Sequence, residues 1–390
     1  MKLTNALKSA WSKAAVFTEF GEPSSVLKFR NVKLGPVPNN KVLVKILVAP
    51  VNPSDVNQVQ GVYPIKKISQ KITLSDNSVI DGYIGGNEGV GQVIQVGSDV
   101  KSAINGQIKV GDYVIPMSTG SVGTWANSTI ADPSSLVVFD SSITSKLSPE
   151  QIGSVKVNAS TSYRMLRDIV HLDKGDYVVQ NGANSSVGQI LIQLAKLYGY
   201  KTINVIREGP NFESNKQLLL SLGADIVIKD SDLLDRDMMK SIKDTAASEN
   251  KQIKLGVNCV CGKASVLMAK LLSNGGYFVT YGAMAKQPMA IPAALFIFKN
   301  ITFKGYWVSS WYSSTHHSKW FEMWNELFDL YANNKLVEQK MEPILITPFD
   351  AADNAPLNHE ADPNKVDLAD DLIIQSTFAQ NAKKSYFKFY

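Results

Sequence analysis

The segment Tyr177-Val-Val-Gln-Asn-Gly-Ala-Asn-Ser-Ser-Val-Gly188 reads as a strand, a turn of small residues and the start of a helix. Val187, Ile190, Leu191, Leu194 and Tyr198 then recur at helical spacing. A turn built this way lets backbone N–H groups approach the phosphates of a dinucleotide, while the helix N-terminus adds partial positive charge. Gly188 stands where the usual G-x-G-x-x-G fingerprint has its third glycine, but Ala183 and Ser185 fill the first two positions, so the fingerprint itself is absent. A tight strand-to-helix turn without a ligand is the competing reading. The next strand ends at Arg207, nineteen residues beyond Gly188, where an NAD enzyme places a ribose-binding carboxylate. A cation there suits a 2′-phosphate and points to NADP; an ordinary surface arginine at a strand end is the alternative. Glu208 follows it and weakens the preference. Tyr63, between Val62 and Pro64, reads on its own as a loop aromatic packing on a core, and Asp55 and Asn57 as turn residues bonding their own backbone. Cys259-Val-Cys261 reads as two small buried side chains rather than a reactive thiol pair.

The elements that must position these residues fall into two regions. From Ala14 to about Ser148 the chain is a series of short β-rich runs broken by turns, such as Lys41-Val-Leu-Val-Lys-Ile-Leu-Val48. Beyond Val157 strand and helix patterns alternate, which predicts a parallel sheet with right-handed crossovers. Six strands are expected, at Asp176–Gln180, Thr202–Ile206, Ile226–Ile228, Leu255–Cys259, Tyr277–Tyr281 and Ile301–Trp307. The fold class is therefore α/β: a doubly wound, Rossmann-type parallel sheet and a β-rich domain, divided near Lys156, with the C-terminal tail returning to the β-rich domain. An amphipathic segment from Trp320 to Ala332 is expected in the latter.

Several segments together resemble the medium-chain dehydrogenase/reductase superfamily and, within it, the mitochondrial 2-enoyl thioester reductases of fungi and animals. They are Asn52-Pro-Ser-Asp-Val-Asn-Gln-Val-Gln-Gly-Val-Tyr-Pro64, Gly86-Asn-Glu-Gly89, Val157-Asn-Ala-Ser-Thr-Ser-Tyr163, the turn at Gln180–Gln189, Asn204-Val-Ile-Arg207, Tyr281-Gly-Ala-Met-Ala-Lys-Gln-Pro288 and Lys304-Gly-Tyr-Trp307. The resemblance implies a Rossmann cofactor domain at 158–309 and a GroES-like catalytic domain assembled from 1–157 and 310–390, and with them NADPH-dependent reduction of a trans-2-enoyl thioester, on acyl carrier protein or coenzyme A, in the mitochondrial matrix. It makes Tyr63 the catalytic acid. That assignment is chemically sensible, because hydride attack at C3 builds enolate charge on the thioester oxygen and then requires a proton at C2.

For the cofactor the resemblance implies Asn158 beside it and Asn184, Ser185, Ser186 and Val187 around its pyrophosphate. Arg207, Glu208 and Gly209 stand where relatives read R-D-R around the 2′-phosphate, so one expected cation is missing. Tyr281, Gly282, Ala283 and Met284, with Tyr306, Trp307 and Val308, are implied on the nicotinamide side, and Lys384, with Lys383 as an almost equal alternative, against a cofactor phosphate. Trp311 and Phe298 are candidates for an acyl channel. Cys261 replaces a glycine typical of relatives. A homodimer through the edges of the cofactor-domain sheets is also implied.

Composition narrows the field. At 390 residues, 44% hydrophobic and 19% charged, the chain has the balance of a folded globular protein. Its longest strongly apolar stretch, Met289 to Phe298, is interrupted by Pro292 and too short for a bilayer span. A net charge of +5 without a clustered basic patch argues against nucleic acid. Two cysteines and four histidines (His171, His316, His317, His359) argue against a disulfide-stapled fold and a four-thiolate zinc site. Zinc alcohol dehydrogenases carry a metal-binding histidine where this chain has Asn87, so no metal is expected. Lys2, Lys8 and Lys13, with Leu3, Ala6, Leu7, Ala10 and Trp11 on one helical face, resemble a short mitochondrial presequence; a frayed basic terminus is equally compatible. The remaining alternatives are a zinc-free quinone or enone reductase, and a non-catalytic RNA-binding or respiratory-maintenance factor on the same fold.

Overall fold

In the computed structural model, which describes residues 10–338, 341–346, 368–378 and 384–389, the Val- and Ile-rich runs form strands as their side-chain shapes favour. The first unit opens with β1 (Ala10–Phe17), β2 (Lys28–Gly35), β3 (Val42–Pro50), β4 (Gln70–Thr73), β5 (Val79–Ile84), β6 (Val90–Val96), β7 (Tyr113–Pro116), β8 (Ser128–Ala131) and β9 (Leu136–Phe139). Ala10, Trp11 and Lys13 lie in β1, so the amphipathic face expected there is not helical where it is described; residues 1–9 lie outside the described residues. β1 is held by a long antiparallel register against β2, Trp11 opposite Lys33 through Val16 opposite Lys28.

The second unit contains β10 (Tyr177–Asn181), β11 (Lys201–Ile206), β12 (Ile226–Lys229), β13 (Ile253–Asn258), β14 (Tyr277–Thr280) and β15 (Thr302–Gly305). They form one all-parallel sheet in the order β12-β11-β10-β13-β14-β15. This is the doubly wound order whose direction reverses between the first and fourth strands, and a ligand binds at the strand C-termini beside that reversal. β10 is buried at all five positions, as a central strand covered on both faces must be.

The chain returns to the first unit with β16 (Glu342–Ile346) and β17 (Ser385–Phe389). A seven-stranded sheet runs β16-β17-β3-β6-β7-β9, with β8 also on β3; β1, β2, β4 and β5 form a separate sheet. Phe387 and Trp125, both fully buried and edge to face, anchor its core.

The compact units are Met1–Ser154 with Lys340–Tyr390, and Val155–Gln339. The segment 310–339, expected with the first domain, therefore belongs to the second. Its helix His317–Ala332 repeats Trp320, Met323, Trp324, Leu327, Phe328 and Tyr331 on one buried face. The Trp324 indole N–H donates to the Tyr312 hydroxyl (2.9 Å), which bonds the Ser160 hydroxyl (2.8 Å). Amphipathic periodicity reveals such a helix but not which core receives its apolar face, and here the receiver is the helix Ser160–Asp168.

Candidate functional site

The first unit holds Tyr63 on a loop whose geometry is set by the motif that precedes it. Pro53 opens the helix Pro53–Val59, and the Asn52 N–H donates to Asp55 Oδ2 (2.9 Å) across its first turn. The Asn57 carbonyl accepts the N–H groups of Val62 (2.9 Å) and Tyr63 (3.1 Å), with Gly61 in the left-handed region (φ 75°) making the reversal between them. Asn52, Asp55 and Gln58 recur three apart on this helix, and all three are buried.

They meet Asn87 and Glu88. Asn87 Nδ2 donates to Asp55 Oδ1 (2.7 Å) and Gln58 Oε1 (2.8 Å), and Asn52 Nδ2 donates to Glu88 Oε2 (2.7 Å). Gly86, before Asn87, has φ 81°, and a side chain there would lie 2.4 Å from Thr124 Oγ1 and Trp125 Cδ1. Only glycine brings this strand end so close to the tryptophan.

Two ammonium groups complete the network. Lys67 Nζ donates to the Gly86 carbonyl (2.8 Å), and Lys384 Nζ to the Val51 carbonyl and Asn52 Oδ1, each at 2.6 Å. Lys384, expected against a cofactor phosphate, is thus committed within the first unit; Lys383 lies outside the described residues. Burial lowers both lysines to about 8, against the raising effect of Asp55 on Lys67 and of Glu88 and Asp55 on Lys384. Burial likewise raises the Asp55 carboxyl, opposed by its hydrogen bonds from Asn52 and Asn87.

The lysine values carry a stability consequence. Below pH 8 both folded and unfolded chains hold the Lys67 proton, and the folded state bears the whole cost of burying it. Between about 8 and 10.5 the folded state releases it first, so the unfolded state binds more protons and stability rises with pH. Denaturation of Lys67→Met alongside the parent is expected to show the parent gaining stability relative to the variant between pH 8 and 10. A difference independent of pH would mean that Lys67 does not titrate in this window.

The second unit holds the phosphate-type turn. Ser185 caps the helix Ser186–Tyr198, its hydroxyl accepting the Gly188 N–H (3.2 Å). A Cβ at Gly188 would lie 2.4 Å from the Ala183 carbonyl oxygen and 2.7 Å from its Cα, so the helix packs on the turn at a distance only glycine allows. Gln180 Nε2 ties the Gly188 carbonyl (3.0 Å) to Asn204 (2.8 Å) beneath it. Asn158 lies in the π-helix Val155–Ala159, and the Ser162 hydroxyl bridges its carbonyl (3.0 Å) to that of Val187 (2.8 Å). A π-turn at such a place is often functional. Asn184 is exposed on the turn, and Ser186 and Val187 are buried behind it.

Arg207 is exposed at the end of β11 and has no hydrogen bond or ion pair among the described residues. Glu208, which the sequence set against it, turns its carboxylate to Lys229 (3.0 Å); that contact and the Ser231 hydroxyl hold it below the usual carboxylate range. Gly209 opens onto free space, with nothing within 4 Å of a Cβ built on it.

Past β14, the Tyr281 hydroxyl is buried beside Cys259 and Ser185, with no hydrogen bond of good geometry among the described residues, and burial pushes it well above the phenol range. Gly282 accepts from the Cys261 thiol (3.4 Å), while Ala283 and Met284 are exposed. Tyr306 reaches Asp168 (3.4 Å), Trp307 is 41% exposed and Val308 is buried. Trp311 carries the Arg164 guanidinium over its ring at 4.5 Å, and Phe298 is exposed.

Cys259 and Cys261 are both buried thiols. Cys261 sits at φ 69°, ψ −168°, a region adopted essentially by glycine and costing about 1–3 kcal/mol for other residues. Cys261→Gly is therefore expected to raise stability by about 1 kcal/mol, read as a higher urea midpoint; a lower midpoint would show that the thiol contacts to Asn258 and Gly282 outweigh the strain.

Sequence reasoning missed Gln58, Lys67, Asn52 and the packing role of Gln180. The i, i+3, i+6 recurrence of Asn52, Asp55 and Gln58 was the available signal. Nothing around Lys67 distinguishes it from the exposed Lys66 beside it.

The chain matches the alcohol dehydrogenase GroES-like domain over residues 38–139 and the zinc-binding dehydrogenase domain over residues 186–331. It is 37% identical over 334 residues to the mitochondrial enoyl-[acyl-carrier-protein] reductase of Schizosaccharomyces pombe, covering 85% of this chain and 86% of the relative. Among solved structures it resembles the Etr1p/NADP/crotonyl-CoA complex, with TM-score 0.81 and 32% identity over 97% of this chain and all of the other. It also resembles the mitochondrial 2-enoyl thioester reductase Etr1p/Etr2p heterodimer of Candida tropicalis, with TM-score 0.81 and 31% identity over the same shares.

Members of the second family bind zinc, as its name states, and the residues here do not fit that metal. Asn87 presents a neutral amide, and the Asp55 and Glu88 carboxylates already accept from N–H donors. Both cysteines lie in the other unit, and no three His, Cys, Asp or Glu groups among the described residues are placed to hold a metal. The phosphate turn, by contrast, fits a dinucleotide: its cradle excludes a Cβ at Gly188, and the buried Tyr281 hydroxyl beside Ser185 has no hydrogen bond of good geometry among the described residues.

Proposed function

Since the chain belongs to the mitochondrial enoyl-[acyl-carrier-protein] reductase family, we propose that it reduces trans-2-enoyl thioesters of acyl carrier protein or coenzyme A to saturated acyl thioesters, using NADPH. When bound, the nicotinamide supplies hydride to C3 of the substrate. The chain supplies the rest. Ser185, Ser186 and Val187, with the N-terminus of their helix, bind the pyrophosphate, and Asn158 and Tyr281 to Met284 orient the cofactor. Arg207 pairs with the 2′-phosphate. Tyr63 donates its phenolic hydrogen bond to the thioester oxygen as enolate charge develops, or delivers the proton to C2.

The observation that carries the cofactor assignment is Arg207, a strand-end cation left uncommitted beside a cradle shaped for phosphate. The reaction class follows from the family. The quinone-reductase and RNA-binding readings have no comparable support. Consumption of NADPH with a medium-chain trans-2-enoyl-CoA, run beside NADH and beside a quinone acceptor, tests the assignment. Rapid, NADPH-selective thioester reduction is expected, and a strong quinone preference would overturn it.

We place the enzyme in the mitochondrial matrix, in line with the mitochondrial relatives; a protease-accessible pool outside the inner membrane would contradict this. We also propose a homodimer. β15 is an exposed edge strand, and Phe296, Ile297 and Phe298 beside it are 48%, 69% and 76% exposed. A monomeric mass in solution would exclude it.

A further inference from the structure

We infer that Gln58 is a positioning residue that fixes the loop carrying Tyr63, its amide orientation being dictated through Asn87. The inference rests on the assignment of Tyr63 as the acid. Gln58 is 1% exposed and spans two groups: its Oε1 accepts from Asn87 Nδ2 (2.8 Å), and its Nε2 donates to the carbonyl of Ile65, two residues past Tyr63 (3.0 Å). On the other side of Tyr63 the Asn57 carbonyl holds Val62 and Tyr63 by their N–H groups. The loop is therefore pinned before and after the tyrosine, both times from the last turn of one helix.

The direction of every bond in this chain follows from its ends. The Gly120 N–H can only donate, and it donates to Asn87 Oδ1 (2.8 Å), so Asn87 turns its Nδ2 toward Asp55 and Gln58. Gln58 must then offer Oε1 to Asn87, which leaves Nε2 facing the Ile65 carbonyl, a group that can only accept. No flip of either amide keeps the set satisfied. An apolar residue of equal length at 58 would fill the space but release the Ile65 carbonyl, removing the tie between the helix and the stretch just past Tyr63 and leaving Lys67 on the Gly86 carbonyl as the next anchor along the loop.

Gln58→Met is expected to lower kcat for the enoyl thioester by about ten- to a hundredfold, with KM and NADPH affinity little changed. Placed on Tyr63→Phe, it is expected to cost nothing further, because Gln58 acts through the hydroxyl already removed. Full turnover of Gln58→Met, or losses that multiply in the double variant, would overturn the inference. Tyr63→Phe alone at full turnover would instead remove the underlying assignment. Should Gln58→Met fail to fold, Gln58→Asn keeps the amide but is too short to reach both Asn87 and Ile65. The same loss of kcat without a change in KM is expected of it, and parental kcat would again overturn the inference.

Discussion

Tyr63→Phe is expected to reduce turnover of a trans-2-enoyl thioester by at least about a hundredfold, the range over which a positioned proton donor acts, while NADPH affinity stays within about twofold. The split follows from where the parts lie. The substitution deletes one oxygen and leaves the backbone bonds to Asn57 that hold the loop, because those come from the N–H groups of Val62 and Tyr63. The phosphate cradle belongs to the other unit. Steady-state kinetics with direct titration of NADPH checks both halves. If turnover survives, another group or water protonates the enolate; if NADPH affinity falls in parallel, Tyr63 serves binding rather than proton supply.

The second large effect concerns the choice of cofactor. Arg207→Ala is expected to weaken NADPH by about ten- to a hundredfold, the loss of about 1.5–3 kcal/mol that a charged hydrogen bond contributes, and to leave NADH nearly unchanged, since NADH has no 2′-phosphate. Gly209→Arg should act in the opposite direction. Nothing lies within 4 Å of a Cβ built at that position, so a longer side chain has room to start there, and an arginine supplies the second cation that the resemblance leads one to expect. Glu208 does not oppose either effect while Lys229 engages it. Isothermal titration of both nucleotides against the three proteins decides the matter, and an equal loss of NADH and NADPH in Arg207→Ala would show that the arginine supports the fold of the strand end instead.

The parallel sheet was legible because six short apolar runs alternate with helical periodicity, and all six strands occur within a few residues of their expected places. The turn at Gly188 was legible from small residues between a strand and a helix, and Arg207 from its distance along the chain. What stayed hidden depends on contacts between remote segments. Lys384 was expected against a cofactor phosphate only through the family resemblance, and its hydrogen bonds to Val51 and Asn52, more than three hundred positions away, could not be read from the sequence. Lys67 is buried while Lys66 is exposed, a difference set by the way the loop crosses the Gly86 carbonyl. Gln58 is one of several buried polar residues in its motif, and its hydrogen bond to the Ile65 carbonyl, just past Tyr63, is what separates it from them. The helix ending at Ala332 was visible from Trp320 onward, but the short helix Val308–Ser314 before it and the core that receives both were not.

The insertion of β17 between β16 and β3 has a consequence for how the protein comes into being. Val48, Ala49 and Pro50 pair with Lys388, Phe387 and Tyr386, while β8 pairs with Val42 to Lys45, so during vectorial synthesis this end of β3 waits for its neighbour while the intervening residues are translated, on the order of tens of seconds at ribosomal speed. The parallel sheet, whose strands all lie within residues 177–305, needs nothing from that late segment and is free to form first. Until the late strand docks, the end of β3 from Val48 to Pro50 lacks that neighbour, and Asn52 lacks Lys384. The order of assembly is thus from the interior of the sequence outward, with the support beneath the tyrosine loop completed last.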